Sequence, residues 1–391
     1  MNCPIKTPIR RRLGRILLAS GRVAVAILAV LAPSEAGDSP GAPGPAIAPA
    51  FAPPPEYAGD LGPYRSPLIF EDGRTVRGPA EWPERRREIF QVWHDAMGPW
   101  PAPIEHPRAE RSEAERREGH TERRIKLEVA PDRTTEGYLL VPDGKGPFPA
   151  VLVVFYEPDT AIGRGVKPGR DFARQLVRRG FACLSIGFDP RVIDPAKSGI
   201  TLQPLAYLAY AASNAYTAMA AMPEVDPARV AVMGHSYGGK WAMFAACLDE
   251  RFACGVWSDP GVAFDEARAN VNYWEPWYLG WEPGRTRKPG LITKANPRLG
   301  AYKSLVEGGH DLHELQSLMA PRPFLVSGGS EDSPARWRAL NHVVGVNNLL
   351  GRKGRVAMTN RPDHDPTGES NEAIGQFLDF ALKPSKPAGR P

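Results

Sequence analysis

The pentapeptide Gly234-His235-Ser236-Tyr237-Gly238 constrains this chain more than any other stretch, because of what flanks it. Residues 229–233 (Arg-Val-Ala-Val-Met) form a short β-branched apolar run, which predicts a buried parallel strand. Residues 239–248 read as a helix with Trp241, Phe244, Ala245 and Leu248 on its apolar side. A strand that turns sharply into a helix at a serine holds that serine in a strained conformation. Small residues on either side let the two elements approach closely. The Ser236 Oγ would then stand above the sheet, where a helix N-terminus favours developing negative charge.

The surrounding chain alternates strands with helices. Residues 125–129 and 136–141 read as an edge hairpin, 149–156 as a central strand, and 182–188, 251–257, 323–326 and 355–359 as further strands. Helical patterns fall at 81–97, 170–179, 203–222, 334–350 and 371–382, and the alternating charges of 108–124 suit a solvated loop or exposed hairpin. This rhythm predicts an α/β chain with a mostly parallel central sheet and helices on both faces. Residues 261–309 break it. They hold Tyr273, Trp274, Trp277, Tyr278 and Trp281, and an insertion after a strand's C-terminal end lies over the site in open α/β sheets. Trp274 and Trp277 are therefore substrate-stacking candidates, the alternative being that these aromatics form the insertion's own core.

The N-terminus has a different character. Residues 1–36 combine a basic start (Lys6, Arg10, Arg11, Arg12, Arg15) with the apolar run 23–32 and the small-residue site Ser34-Glu35-Ala36, a signal-peptide pattern. Six of the 49 basic residues and one of the 44 acidic residues lie there, so the remainder carries 43 of each. A chain with no net charge offers no electrostatic case for nucleic acid as a partner. The expected location is secreted or periplasmic, with no stable membrane span once the signal is removed. Residues 37–63, rich in Pro, Ala and Gly, predict an extended linker, leaving 64–388 as the folded domain. Cys183, Cys247 and Cys254 each sit in an apolar segment, which suits buried thiols; a Cys247–Cys254 disulfide is the alternative in an oxidising compartment.

A serine nucleophile needs a base, and the base needs an acid to orient it. His364, in Arg361-Pro362-Asp363-His364-Asp365 beyond the strand 355–359, is the candidate base. Asp332, at the end of a Gly-rich loop after the strand 323–326, is the preferred acid; Asp259, just past the strand 251–257, is the alternative. The backbone N–H of Tyr237 and a second donor after the central strand, from Tyr156 or Glu157, would hold the oxyanion. His235 should point away from the site and pack. His310 and His313 lack a third ligand at metal-site spacing, so a helix-start and interior role is expected, with no metal and no cofactor.

With these motifs in place, residues from about 149 to 382 resemble the α/β-hydrolase superfamily, in the branch of acetyl xylan esterases and dienelactone hydrolases. The stretch Leu318-Met319-Ala320-Pro321-Arg322-Pro323 is similar to a phrase common in that branch. A partial likeness to glucuronoyl esterases, whose turn reads G-C-S-R-x-G-K, rests on Gly234, Ser236, Gly239 and Lys240; His235 and Tyr237 depart from it. The resemblance implies a cofactor-independent serine hydrolase of carbohydrate esters, acetyl or uronoyl. Lys240 is then a sugar-contact candidate, and by the glucuronoyl esterase pattern Asp259 is the acid. The other readings are a prolyl-oligopeptidase-like peptidase, disfavoured by the 88 residues between 37 and the hairpin, and a small-molecule esterase or dienelactone hydrolase, whose nucleophile is a cysteine. A non-catalytic binding protein on the same fold is a further one.

Overall fold

The computed structural model describes residues 43–383; the expected signal segment 1–36 lies outside the described residues. Ten strands join in one open sheet: β1 (Ala109–Arg111), β2 (Glu115–Arg117), β3 (His120–Ala130), β4 (Arg133–Pro142), β5 (Phe148–Phe155), β6 (Ala182–Gly187), β7 (Val225–His235), β8 (Cys254–Ser258), β9 (Phe324–Gly328) and β10 (Val356–Asn360). The order is β1-β3-β4-β6-β5-β7-β8-β9-β10, with β2 paired beside β3. β5 to β10 run parallel, while β1 to β4 form an antiparallel extension that joins at β6. The alternating charges of 108–124 thus resolve into the short exposed strands β1 and β2 and the start of β3, where His120 and Glu122 are buried.

Period-2 alternation along β5 divides the interior into two layers. Ala150, Leu152 and Val154 face a core shared with the helices Trp82–Met97, Pro204–Ala220 and Tyr237–Leu248. Val151 and Val153 face a second core with Phe172–Arg178 and Gly368–Leu382. β6 and β7 flank β5 on opposite sides, so the strand order reverses there, the point at which open α/β sheets form their crevice at the C-terminal strand ends.

The segment expected to be a linker is folded over the part of it that is described. Ala48–Phe51 and Pro55–Tyr57 are single 3-10 turns, and Ile47 and Ala50 are buried. Phe51 packs 5.2 Å from Phe380 and 6.3 Å from Phe377 of the closing helix, and the Asn341 amide donates to the carbonyls of Tyr57 and Asp60, 2.8 Å each. Prolines lower the entropy lost on ordering, and two apolar anchors then suffice to dock the segment. The packed region therefore reaches back to residue 47 rather than starting at 64.

Candidate active site

The nucleophile turn is built from close approach. Ser236 lies between β7 and the helix Tyr237–Leu248 with φ +59° and ψ −120°, a conformation L-residues adopt only under constraint. Its N–H donates to the Ser258 carbonyl at 2.8 Å. A Cβ on Gly234 would stand 2.1 Å from the Gly238 carbonyl oxygen, and one on Gly238 2.3 Å from that of Val154, so neither position admits a side chain. Gly238→Ala is expected to cost about 3 kcal/mol or more of stability by urea unfolding. Gly345→Ala, in the helix Trp337–Leu349 with nothing within 4 Å of the added carbon, should gain about 0.5–1 kcal/mol.

His364, on the loop after β10, approaches from across the crevice. Its Nε2 lies 2.9 Å from Ser236 Oγ and its Nδ1 2.7 Å from Asp259 Oδ2. The imidazole is 33 % exposed, open enough for a reactant, whereas Asp259 is fully buried. Asp259 has φ +52° and its Oδ1 accepts from the N–H groups of Gly329 (2.6 Å), Asp332 (3.0 Å) and Glu331 (3.1 Å). The carboxylate at the histidine is thus Asp259, not the preferred Asp332. Asp332 turns the other way and accepts from Gly261 N–H at 2.8 Å and Val262 N–H at 2.6 Å.

Two residues that sequence reasoning left without a role support the histidine. The Arg361 guanidinium donates to the His364 carbonyl (2.6 Å), the Ser327 carbonyl (2.8 Å) and Ser258 Oγ (3.3 Å), tying the loop to β8 and β9. Arg170 pairs with Asp365 directly after the histidine. Their signal was present: an arginine three residues before a loop histidine has the reach to donate to its carbonyl. His235 is buried as expected but does not point away from the site: its ring lies 4.6 Å from that of His364, with its Nδ1 3.1 Å from Ser258 Oγ. Burial, reinforced by the nearby His364, Arg170 and Arg361, holds it well below the ordinary histidine range.

The Tyr237 N–H belongs to the first turn of its helix, where amide donors lack intrahelical partners. Tyr156, after β5, is 43 % exposed and its ring stands 5.4 Å from that of Tyr237; partial desolvation raises the pKa of its phenol, which stays protonated. Tyr156, Phe188 and Tyr278 surround the Tyr237 ring at centroid distances of 5.2–5.6 Å, making an aromatic wall. The insertion contributes to that wall, since the Tyr237 hydroxyl also donates to the Trp277 carbonyl at 2.9 Å.

Other candidates lie elsewhere. Trp274 is fully buried and its indole donates to Gly290 O; with Tyr273 and Tyr302 it joins the main core that also holds Phe244 of the helix Tyr237–Leu248. Trp277 is half-buried beside Tyr278. Lys240 is buried, its ammonium donating to the Pro260 carbonyl and lying 4.1 Å over the Tyr273 ring. Its ammonium is directed at the turn after β8 and is not open to solvent. His313 is buried against the Arg65 carbonyl and His310 pairs with Glu314, both within or beside the helix Leu312–Ser317. Among the described residues no group of three or more His, Cys, Asp or Glu is placed to hold a metal ion. Cys183, Cys247 and Cys254 are free thiols, pushed up by burial and inert.

Comparison with known proteins places this geometry on a known scaffold. A glucuronoyl esterase from Solibacter usitatus superimposes with a TM-score of 0.66 over 83 % of this chain and 99 % of that chain, at 20 % identity. The chain has the α/β-hydrolase fold. A promiscuous CE15 esterase from the marine bacterial metagenome gives 0.62 over the same shares at 19 % identity. A Bacteroides fragilis structure described as a candidate acetyl xylan esterase gives 0.54 at 17 % identity, covering 84 % of this chain and 91 % of that one. Residues 212–299, which contain the nucleophile turn, match the prolyl oligopeptidase family. No curated protein matches the sequence.

Proposed function

We propose that this chain is a serine hydrolase that cleaves carboxylic esters of carbohydrates, acetyl or uronoyl, through an acyl-enzyme on Ser236. One observation carries the reading: the continuous hydrogen-bonded line Asp259–His364–Ser236 at the mouth of the crevice. Ser236 Oγ attacks the ester carbonyl while His364 Nε2 takes its proton, and buried Asp259 stabilises the imidazolium through Nδ1–H. The Tyr237 N–H and a donor from Tyr156 receive the oxyanion. His364 then protonates the leaving alcohol, and the same histidine activates the water that releases the acid.

The aromatic wall of Tyr156, Phe188, Tyr237 and Tyr278 supplies flat apolar surface for a sugar ring or acyl group, with half-buried Trp277 at its border. The esterase neighbours and the signal-peptide pattern of 1–36 support an exported enzyme meeting polymeric or oligomeric substrate. No helix among the described residues is long and apolar enough to cross a membrane.

The prolyl oligopeptidase match supports a second reading, a serine peptidase, since the matched residues hold a turn and helix that serve either bond. Hydrolysis of a methyl glucuronate ester, an acetylated xylo-oligosaccharide and a prolyl peptide separates them. The ester reading predicts kcat/KM of about 10⁴ M⁻¹s⁻¹ or more on one of the sugar esters. Faster cleavage of the peptide would put the peptidase reading in its place.

A further inference from the structure

Asp259 occupies a turn that the rest of the fold holds from three directions. The turn 259–262 is strained: Asp259 has φ +52° and Gly261 φ +80°, where an added Cβ would lie 2.5 Å from Val271 Cγ1. Such a turn relaxes unless its surroundings over-determine it. Here they do. The Asp259 N–H donates to Ser327 O at 3.1 Å, fixing the turn to β9. The Asp332 carboxylate accepts from Gly261 N–H and Val262 N–H, while the Asp259 carboxylate accepts from the N–H groups of Gly329, Glu331 and Asp332. Each acidic loop therefore binds the backbone of the other. On the remaining side, the Lys240 ammonium donates to the Pro260 carbonyl, and the Tyr273 hydroxyl donates to Gly261 O at 2.6 Å and Pro260 O at 3.3 Å.

We propose that Asp332, Lys240 and Tyr273 are positioning residues that hold Asp259 at His364. The proposal rests on the reading of Asp259 as the acid of the hydrolase. The three side chains act through the backbone of 260–262; in addition the Lys240 N–H donates to the Ser236 carbonyl at 3.0 Å and the Asp332 N–H to Asp259 Oδ1 at 3.0 Å. The buried charges are complementary: desolvation pushes Asp332 up to about 6 and Lys240 down to about 8, and the acidic groups Asp332, Glu331 and Asp259 counter the shift on the lysine. Lys240 lies on the elbow helix, so the same helix fixes the serine through its start and the acid through its fourth residue.

The test compares full-length wild type with Asp332→Asn, Lys240→Met and Tyr273→Phe, read by steady-state kinetics on the best ester and by the downfield proton resonance of His364 Nδ1–H. Loss of that resonance in Asp259→Asn assigns it. Asn at 332 presents an amide N–H₂ to one of two N–H groups, and Met at 240 removes the donor to Pro260. Displacement of the acid is expected to lower kcat by about 10- to 100-fold with KM little changed, and to shift the resonance upfield. Tyr273→Phe loses only an oxygen and serves if the other two variants do not fold; it should lower kcat by roughly threefold or more, with the same spectral shift. Folded variants with wild-type kcat and an unmoved resonance would overturn the proposal, as would a rise in KM alone, which marks a substrate contact. A wild type lacking the resonance contradicts the Asp259–His364 bond and the clasp with it. The resonance needs no turnover, so a wild type that shows it but hydrolyses nothing refutes the hydrolase reading while the variants still report on the clasp.

Discussion

Ser236→Ala is expected to lower turnover by about 10⁶-fold, the scale seen when a nucleophile of this kind is removed from an otherwise intact site. The loss should appear in kcat with little change in KM, because the oxyanion donors and the aromatic wall remain. Stability should hardly change. Alanine keeps the serine Cβ, the φ of +59° is imposed by Gly234 and Gly238 on either side, and the bond from the residue 236 N–H to Ser258 O survives. A variant that folds to the wild-type melting temperature yet retains more than about a thousandth of the activity would mean that another group attacks.

Asp259→Asn carries the second largest effect, about 10⁴-fold in kcat. The amide cannot stabilise an imidazolium, and it can turn its N–H₂ toward Nδ1, reversing the tautomer so that Nε2 no longer accepts the serine proton. Asp332→Asn separates the two acids. As a positioning residue it should cost about 100-fold at most, so a kcat loss for Asp332→Asn larger than that for Asp259→Asn would reverse their roles. The comparison decides between two carboxylates whose loops meet in space but lie 73 residues apart.

The fold was readable because its signals are local. β5 is a continuous apolar run, the helices that follow the strands read as long apolar stretches without prolines inside them, and the glycines at 234 and 238 announce a tight turn. Ser236 and His364 were readable for the same reason, since each follows a strand in a polar or glycine-rich turn. The choice of acid was not. Both Asp259 and Asp332 follow parallel strands, and each ends in a turn that binds the other; which one faces the histidine depends on strained backbone that no spacing encodes. Lys240 misled because a lysine in the elbow helix suggests a ligand, yet its neighbours Gly239 and Trp241 mark a buried stretch where the ammonium finds a carbonyl. Of the insertion's aromatics, Tyr273 and Trp274 join the main core, while Tyr278 packs against the ring of Tyr237, directly after the serine. The Pro-rich segment concealed two anchors, Ile47, buried in the second core, and Phe51, whose partners Phe377 and Phe380 come from the closing helix far along the chain.

The central claim is that the Asp259–His364–Ser236 line activates one serine. Reaction of the purified chain with a fluorophosphonate, read as intact mass with Ser236→Ala as control, tests it most directly. A single adduct is expected on wild type, absent from the variant and formed much more slowly in Asp259→Asn. Folded wild-type protein that takes up no reagent, or labels equally in Ser236→Ala, would contradict it and leave a hydrolase fold used for binding.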